Sequence, residues 1–459
     1  MQNGIIFFYL LAVLFIGLKA GQNIKGMREY AVAGKSFGTL AIFATLSASF
    51  IGGGFSMGNA EKVFLVGISN IVALWGFSLK EILVAQFVAP NMRHYPHAIS
   101  VGDIMEPAYG KEARVFSGIF GFILCSGILG AQIGAIGYIF NLFLGLDRTF
   151  GILIGMGIVI AYATVGGMKA VVWTDIMQFI VLAIGIPIVL YFGINHVGGW
   201  ENIVAKVPPS HLEIPTDTMS LIALTSLFLT FLLGETLVPP YLQRLLIGKD
   251  TKRVSRGTLL SGLFSIPFFA MTGLIGLIAL AMNPELDANL AMPYVIKESL
   301  HPVLQGIVIA AVISIIMSSA DSFLNSAAIA FSNDILKPLR KTSLDIKKEL
   351  KIARLITLLV GVLAVVFALS IDSVLDILIY SYNFWAPTVL VPLSAALLGL
   401  KVSRLRFLAG SLSGILGVLI WNIVFNSPYQ IDGLVIGTLC NFIIFFSIDK
   451  KGAIKRVKL

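Results

Sequence analysis

Charged residues are scarce in this sequence. Of its 459 residues, 12% are Asp, Glu, Lys or Arg, and 57% are hydrophobic. Soluble domains carry about 25% charged residues, so this chain has too little polar surface to face water on all sides. A large soluble enzyme is therefore not expected, whereas a membrane protein is.

Cysteine and histidine are also rare. The two cysteines, Cys125 and Cys440, lie inside apolar runs and form no CxxC pair, so we expect two buried thiols. The five histidines fall in connecting segments without metal-ligand spacing. No nucleophile and base pair or nucleotide loop is visible either, and we expect neither an enzyme nor a histidine- or cysteine-bound metal.

Long apolar runs fill most of the chain. A membrane helix needs roughly 20 mostly apolar residues, and the sequence contains about thirteen such runs. This pattern predicts an all-α polytopic membrane protein in which residues 1–459 form a single transmembrane domain. The first run, at about 4–18, lacks a basic leader and is expected to be a retained span rather than a signal peptide.

The basic residues alternate between successive connections. They concentrate in every second one, for example in 244–256 and 337–354. Cytoplasmic loops collect Lys and Arg, so the N-terminus is predicted outside and the C-terminus in the cytoplasm, in the cell (inner or plasma) membrane. The net charge of +9 is thus a topology signal, and no nucleic-acid partner is expected.

Two spans contain interruptions at corresponding positions. The second holds Gly52-Gly53-Gly54, and the seventh holds Gly234 followed by Pro239-Pro240. Glycine weakens a helix and proline breaks it, and transporters often bind their solute at such breaks in two inverted repeats. We expect repeats at about 37–195 and 219–399. The alternative is that the glycines only allow helices to pack closely.

Polar residues within the spans suggest a cation site. Ser314, Ser318, Ser322 and Asn325 recur at helical spacing in the ninth span, with Asp321 beside them. Without Asp321, a helix-packing seam would be the better interpretation. Asp175 in the sixth span is expected at a similar depth, with a favourable helix N-terminal position as its alternative.

Three segments together resemble the sodium:solute symporter family. They are Ser47 to Gly54, Tyr162 to Gln178, and Met317 to Ser322. The resemblance implies a five-plus-five inverted-repeat (LeuT-like) fold with flanking helices, and symport of a small organic solute by alternating access. It also implies sodium as the coupling ion, with the lipid bilayer as surroundings and no obligate protein partner.

The resemblance also implies two sodium sites. The main site maps to the backbone carbonyls of three residues and the hydroxyls of two, namely Phe43, Leu46, Ile315, Ser318 and Ser319. A second site, present in some members, matches Asp175, Asp321 and Ser322. The second and ninth spans look nearest to the choline-transporter-like branch, but its aromatic cage is not retained, because Phe50, Phe77, Ile128 and Val238 stand at the matching positions.

The solute pocket is expected between the two breaks. The residues predicted to line it are Ser47, Phe50, Trp75, Phe77, Gln132 and Glu235. Aromatic packing, helix bridging by Gln132 and helix pairing by Glu235 are the alternatives. No Lys or Arg is expected near either break, so a solute carboxylate would have to rely on backbone amides and helix dipoles. Glu235 near aromatic side chains instead favours an amine-bearing solute, such as an amino acid or a cationic osmolyte. A transporter-like membrane sensor without a catalytic domain is the alternative function.

Overall fold

The computed structural model describes residues 2–215, 219–340, 344–370, 384–447 and 455–456. Helices α1 to α9 are, in chain order, Gln2–Ala20, Met27–Val32, Thr39–Phe50, Gly53–Val66, Ser69–Leu83, Gly102–Tyr109, Lys111–Leu144, Arg148–Val197 and Trp200–Lys206. Helices α10 to α19 are Leu221–Leu233, Pro239–Leu246, Thr251–Met282, Ala291–Ser299, Pro302–Ile329, Lys337–Leu339, Ile346–Ser370, Val391–Leu397, Arg404–Leu419 and Gly433–Phe446.

Short irregular turns extend several of these helices. The π-helical or 3₁₀ extensions are Val84–Val88, Ala89–His94, Ala330–Leu336, Ala386–Leu390 and Ile420–Val424. The strands described are β1, Leu400–Lys401, and β2, Lys455–Arg456, which pair antiparallel over two residues. The prediction of an all-α protein is confirmed.

The described helices include many that suit a membrane. Seven are long and apolar enough to cross it, or eight if α3 and α4 count as one bent span. The predicted count of about thirteen stays a prediction. The tenth and eleventh spans are predicted at about 352–371 and 373–399. Their junction, the start of the eleventh span and most of the basic tail lie outside the described residues.

The first break separates α3 from α4. Helix α3 ends at Phe50, and Gly52 has an extended backbone before α4 begins at Gly53, so that the two helices meet at a bend of 53°. A Cβ atom added to Gly52 would lie 2.9 Å from Ser319 Oγ and 3.2 Å from Gln132 Nε2. Glycine therefore lets side chains from two other helices reach the break.

The second break separates α10 from α11. Helix α10 ends at Leu233, and α11 begins at Pro239, whose fixed φ suits a first helical position. Between them Leu237 has φ of 57°, an uncommon conformation for a residue with a side chain. The predicted seventh span, 219–243, is thus two short helices joined by an irregular segment, at the interruption expected from Gly234 and Pro239-Pro240.

A third interruption lies inside α8. Gly167 has φ of 50° and ψ of −143°, and a Cβ atom there would lie 2.4 Å from the carbonyl oxygen of Tyr30. Only glycine fits this close approach and this backbone conformation. The break lies close to residues 169–170, where the fifth and sixth spans, predicted at about 149–168 and 171–195, are expected to separate.

Helix α14 lies at the centre of the bundle. It packs against α1, α7, α8 and α16, while α12 packs against α3, α4 and α5. Its residues from Val308 to Ile329 are all buried. Because α3 and α11 also contact α14, the polar side chains of α14 face both broken spans.

Candidate functional site

A buried ion pair lies where α8, α11 and α14 meet. Arg244 Nη2 is 3.1 Å from Asp175 Oδ2, and both side chains are fully buried. Ser318 Oγ donates to Asp175 Oδ1 at 2.5 Å, and Thr45 Oγ1 donates to Asp175 Oδ2. Asp175 therefore joins residues from four helices through one carboxylate.

Asp321 and Ser322 continue this cluster along α14. Arg244 Nη2 donates to Ser322 Oγ at 2.5 Å, and Ser322 Oγ lies 3.0 Å from Asp321 Oδ1. Tyr162 donates to the other oxygen of Asp321 at 2.5 Å. The structure thus brings together Asp175, Asp321 and Ser322, the residues of the expected second sodium site.

The residues of the expected main sodium site lie beside the first break. Ser319 Oγ donates to the carbonyl oxygen of Ser49 at 3.0 Å, and Leu46 and Ile315 are fully buried. The ring of Phe43 packs edge-on against Phe179, with centroids 4.9 Å apart. The Ser319 hydroxyl is therefore close to a carbonyl oxygen of α3, and both are the kind of oxygen that ligates a hard cation.

Aromatic rings surround the space between the two breaks. The rings of Phe50 and Phe77 are 4.7 Å apart, and Tyr241 lies edge-on to both at 6.5 and 6.2 Å. Tyr241 donates to Glu235 Oε2 at 2.5 Å. A small void between the breaks is lined by Leu46, Glu81, Val84, Leu237, Tyr241 and Leu245.

Of the other residues expected to bind the solute, Ser47 and Gln132 lie on α3 and at the first break, whereas Trp75 lies away from both. Ser47 lies 3.2 Å from Ser261 of α12, oxygen to oxygen, and Gln132 reaches the first break at Gly52. Trp75 is set apart from them, because its side chain is 36% exposed and its indole donates to the carbonyl of Ile266.

The expectation that no Lys or Arg lies near either break is wrong. Arg244 belongs to α11, which begins directly after the second break, and it is fully buried. Lys80 Nζ lies 3.3 Å from the centroid of the Phe77 ring and 4.7 Å from that of Tyr241. The count of basic residues had placed Arg244 in a cytoplasmic connection, where its charge would face water.

Sequence reasoning also missed Thr45, Ser49 and Tyr162, which hold the two carboxylates of the cluster. Thr45 and Ser49 are four residues apart on α3, one helical turn, and Ser49 Oγ lies 3.3 Å from Asp175 Oδ2. Two hydroxyl residues at this spacing form a polar stripe on one face of an otherwise apolar helix. This stripe was the sequence signal that could have identified Thr45 and Ser49. Tyr162 opens one of the segments that carry the family resemblance.

A larger cavity lies to one side of this cluster. It has a volume of about 690 Å³. Its walls come mainly from α5, α10, α17 and α19, from the turns that extend α5 and precede α17, and from Thr236 and Leu237 of the second break. They are almost entirely apolar, with Lys80 at one end. It contains none of the residues expected to bind sodium, and its apolar walls do not suit a small polar solute.

Comparison with known proteins shows the family of the chain. The sequence profile of the sodium:solute symporter family matches residues 30–417. The chain is 28% identical over 433 residues to the high-affinity proline transporter PutP of Bacillus subtilis, covering 89% of each protein. It is 25% identical to a sodium/proline symporter of Staphylococcus aureus, covering 97% of this chain and 92% of that protein.

The fold also matches a solved structure. A Na⁺-coupled sialic acid symporter in a substrate-bound outward-open state superposes with a TM-score of 0.83, at 20% identity and over 96% of each chain. This likeness confirms the LeuT-like fold class. The family consists of secondary transporters rather than enzymes, and it uses sodium as the coupling ion. The chain belongs to the sodium:solute symporter family, as a multi-pass membrane protein that couples movement of a small organic solute to sodium.

Proposed function

We propose that this symporter imports a small amino acid, with proline as the first candidate. The observation that carries the proposal is the position of Glu235, a buried carboxylate in the second break that accepts a hydrogen bond from Tyr241, whose ring lies near Phe77 and Phe50. A carboxylate next to aromatic rings suits an amine-bearing solute. The named relatives, which are proline transporters, support the same class.

The aromatic rings favour an amino acid over a cationic osmolyte. A quaternary ammonium ligand binds best on the open faces of aromatic rings. Here the ammonium group of Lys80 already lies over Phe77 and near Tyr241. A second cation at those rings would be repelled, so we expect the amine of the solute to bind at Glu235 instead.

We further propose that sodium binds where the sequence resemblance placed it. In the main site, the carbonyls of Phe43, Leu46 and Ile315 would join the hydroxyls of Ser318 and Ser319. A hydroxyl that donates its hydrogen keeps lone pairs for a cation, so the bonds to Asp175 and Ser49 do not prevent sodium binding. Sodium would then join α3 to α14 and stabilise the conformation that binds solute.

The second sodium site would compete with Arg244. Asp175 and Ser322 are two of its three proposed ligands, and both contact the guanidinium. We therefore propose that a second sodium occupies Asp175, Asp321 and Ser322 only when Arg244 moves away.

The repeat boundaries, at about 37–195 and 219–399 within one domain, remain part of the proposal. The breaks after α3 and α10 support them, because each lies in the first span of its repeat. Alternating access would then move one set of helices against the other around the two breaks.

The proposal predicts which solutes compete for uptake. Sodium-dependent uptake of labelled L-proline into proteoliposomes should be inhibited by small amino acids, and not by choline, monocarboxylates or neutral sugars. Glu235→Gln should weaken amine-bearing competitors about tenfold, since it removes a charge-assisted hydrogen bond. Glu201→Gln, at an exposed position of α9, serves as the control. Strong inhibition by sugars or monocarboxylates, with no effect of Glu235→Gln, would disprove the amino acid assignment.

The proposed orientation predicts a labelling pattern. In a background where Cys125 and Cys440 are replaced by serine, a single cysteine beyond Lys450 should react with a membrane-impermeant maleimide only after cells are opened. A cysteine at Lys206, in a connection predicted outside, should react in intact cells. Labelling of the C-terminal cysteine in intact cells would reverse the orientation.

A further inference from the structure

Lys80 is a buried charged residue that belongs to neither of the two proposed sodium sites. It lies in the last turn of α5, within the longer apolar helical stretch Ser69–His94, and its side chain is 2% exposed. Ionisable residues within membrane spans are costly and usually mark a functional site. Nothing in the sodium cluster contacts its ammonium group.

The surroundings of Lys80 leave it able to bind a ligand. Its Nζ is 2.9 Å from Glu81 Oε1, the next residue in the chain, and lies over the Phe77 ring. Within the described residues, no group other than Glu81 lies at hydrogen-bonding distance from Nζ. An ammonium group has three donors, so donors that Glu81 does not engage remain available to a ligand.

Lys80 and its partner also lie between the two breaks. Glu81 lines the small void that separates Leu46 of α3 from Leu237 and Tyr241 at the second break. The same Tyr241 lies 4.7 Å from Lys80 Nζ and hydrogen-bonds to Glu235, and Glu235 interacts electrostatically with Lys80. A cation and two carboxylates are therefore grouped near Tyr241, with Lys80 lining the larger cavity and Glu81 the small void.

We propose that Lys80 binds the carboxylate of the transported solute and thereby sets its specificity. Glu81 holds the ammonium group when the site is empty, and the carboxylate of the solute takes that position on binding. The amine of the solute binds at Glu235, at the other side of Tyr241. The inference rests on the proposed function in one respect, namely that the solute binds between the breaks.

The experiment compares a solute with derivatives that lack one charged group. Purified protein in proteoliposomes takes up labelled L-proline in the presence of L-proline, its amide, which lacks the carboxylate, or its N-acetyl derivative, which lacks the amine. In the unmodified protein the amide should compete at least about tenfold more weakly than proline, because a charge-assisted contact is lost.

The variants keep the buried charges balanced. Lys80→Met alone would leave Glu81 unpaired in an apolar environment, so the informative variant is Lys80→Met with Glu81→Gln. In this double variant the preference for proline over its amide should fall to within about twofold, since no cation remains to distinguish them. The preference over the N-acetyl derivative should persist. Lys80→Arg should retain both preferences, and Lys62→Met, at an exposed position of α4, should change neither.

Two results would overturn the proposal. One is a double variant that keeps the full preference for proline over its amide while its sodium dependence is normal. The other is binding, by sodium-dependent thermal stabilisation, only of solutes that have no carboxylate. If a different carboxylate-bearing solute is transported, the proposed function fails, and the acid and amide of that solute test Lys80 in the same way.

Discussion

Replacing Arg244 with methionine is expected to abolish sodium-driven uptake and to lower the unfolding temperature of the purified protein. Arg244 bonds to Asp175, to Ser322 and, at 3.1 Å, to the carbonyl of Pro240. Removing one partner of a buried ion pair costs about 3–5 kcal/mol, because the other charge is left uncompensated. That is a large fraction of the roughly 5–15 kcal/mol that stabilises a folded domain.

The same substitution also affects the link between the second break and the sodium cluster. Arg244 is the residue of α11 that reaches Asp175 on α8 and Ser322 on α14. Without it, movement of the second break would no longer be connected to the groups that are proposed to bind sodium. Uptake into proteoliposomes and thermal unfolding in detergent measure the two consequences separately.

A charge-balanced variant separates folding from transport. Asp175→Asn with Arg244→Met removes both charges, and it should recover much of the unfolding temperature. Uptake should remain absent, because the carboxylate proposed to bind sodium is gone. Arg253→Met is the matched control, since its ion pair with Asp250 at 2.5 Å is about half exposed and such surface pairs contribute little.

Two outcomes would contradict the proposed role of Arg244 and Asp175. If Arg244→Met unfolds at the temperature of the unmodified protein and takes up solute at the normal rate, the buried pair matters for neither stability nor transport. If the charge-balanced variant shows full sodium-dependent uptake, Asp175 is not a sodium ligand. In that case the cluster of Asp175, Asp321 and Ser322 would have a structural role only.

The breaks in the helices could be predicted from sequence because their causes are local. Gly52 and Pro239 act through their own backbone geometry, and neighbouring residues are enough to recognise them. The all-α fold follows in the same way from long apolar runs. The interruption at Gly167 appears in the sequence as the boundary between two apolar segments that are separated by a glycine pair and Lys169.

The position of Arg244 could not be predicted because its partners are distant in the chain. Asp175 is 69 residues away and Ser322 is 78 residues away. An arginine near the end of an apolar run resembles a cytoplasmic anchor, and only the packing of α11 against α14 and α3 shows that it is buried. Trp75 shows the opposite error, since it was expected in the solute pocket but is 36% exposed. The sequence of α5 alone does not show which face of the helix packs inward.

Replacing both Ser318 and Ser319 with alanine should raise the sodium concentration for half-maximal uptake by about a hundredfold. Each hydroxyl is a proposed sodium ligand, and losing one such contact is expected to weaken binding about tenfold. The two losses should combine if they are independent. At saturating sodium the affinity for solute should change much less, because neither hydroxyl is proposed to contact the solute.

Ser314→Ala is the matched control for this pair. Ser314 is equally buried on α14, one turn before Ser318, but its hydroxyl bonds to Tyr9 and to the carbonyl of Ala310. Its loss should leave the sodium dependence unchanged. Ser318 also donates to Asp175, whereas Ser319 bonds to a backbone carbonyl, so Ser319→Ala alone tests the main site with less disturbance of the ion pair. If sodium dependence is normal in both Ser319→Ala and the double variant, sodium must bind to other oxygen atoms. The hydroxyls would then serve only to pack α14 against α3 and α8.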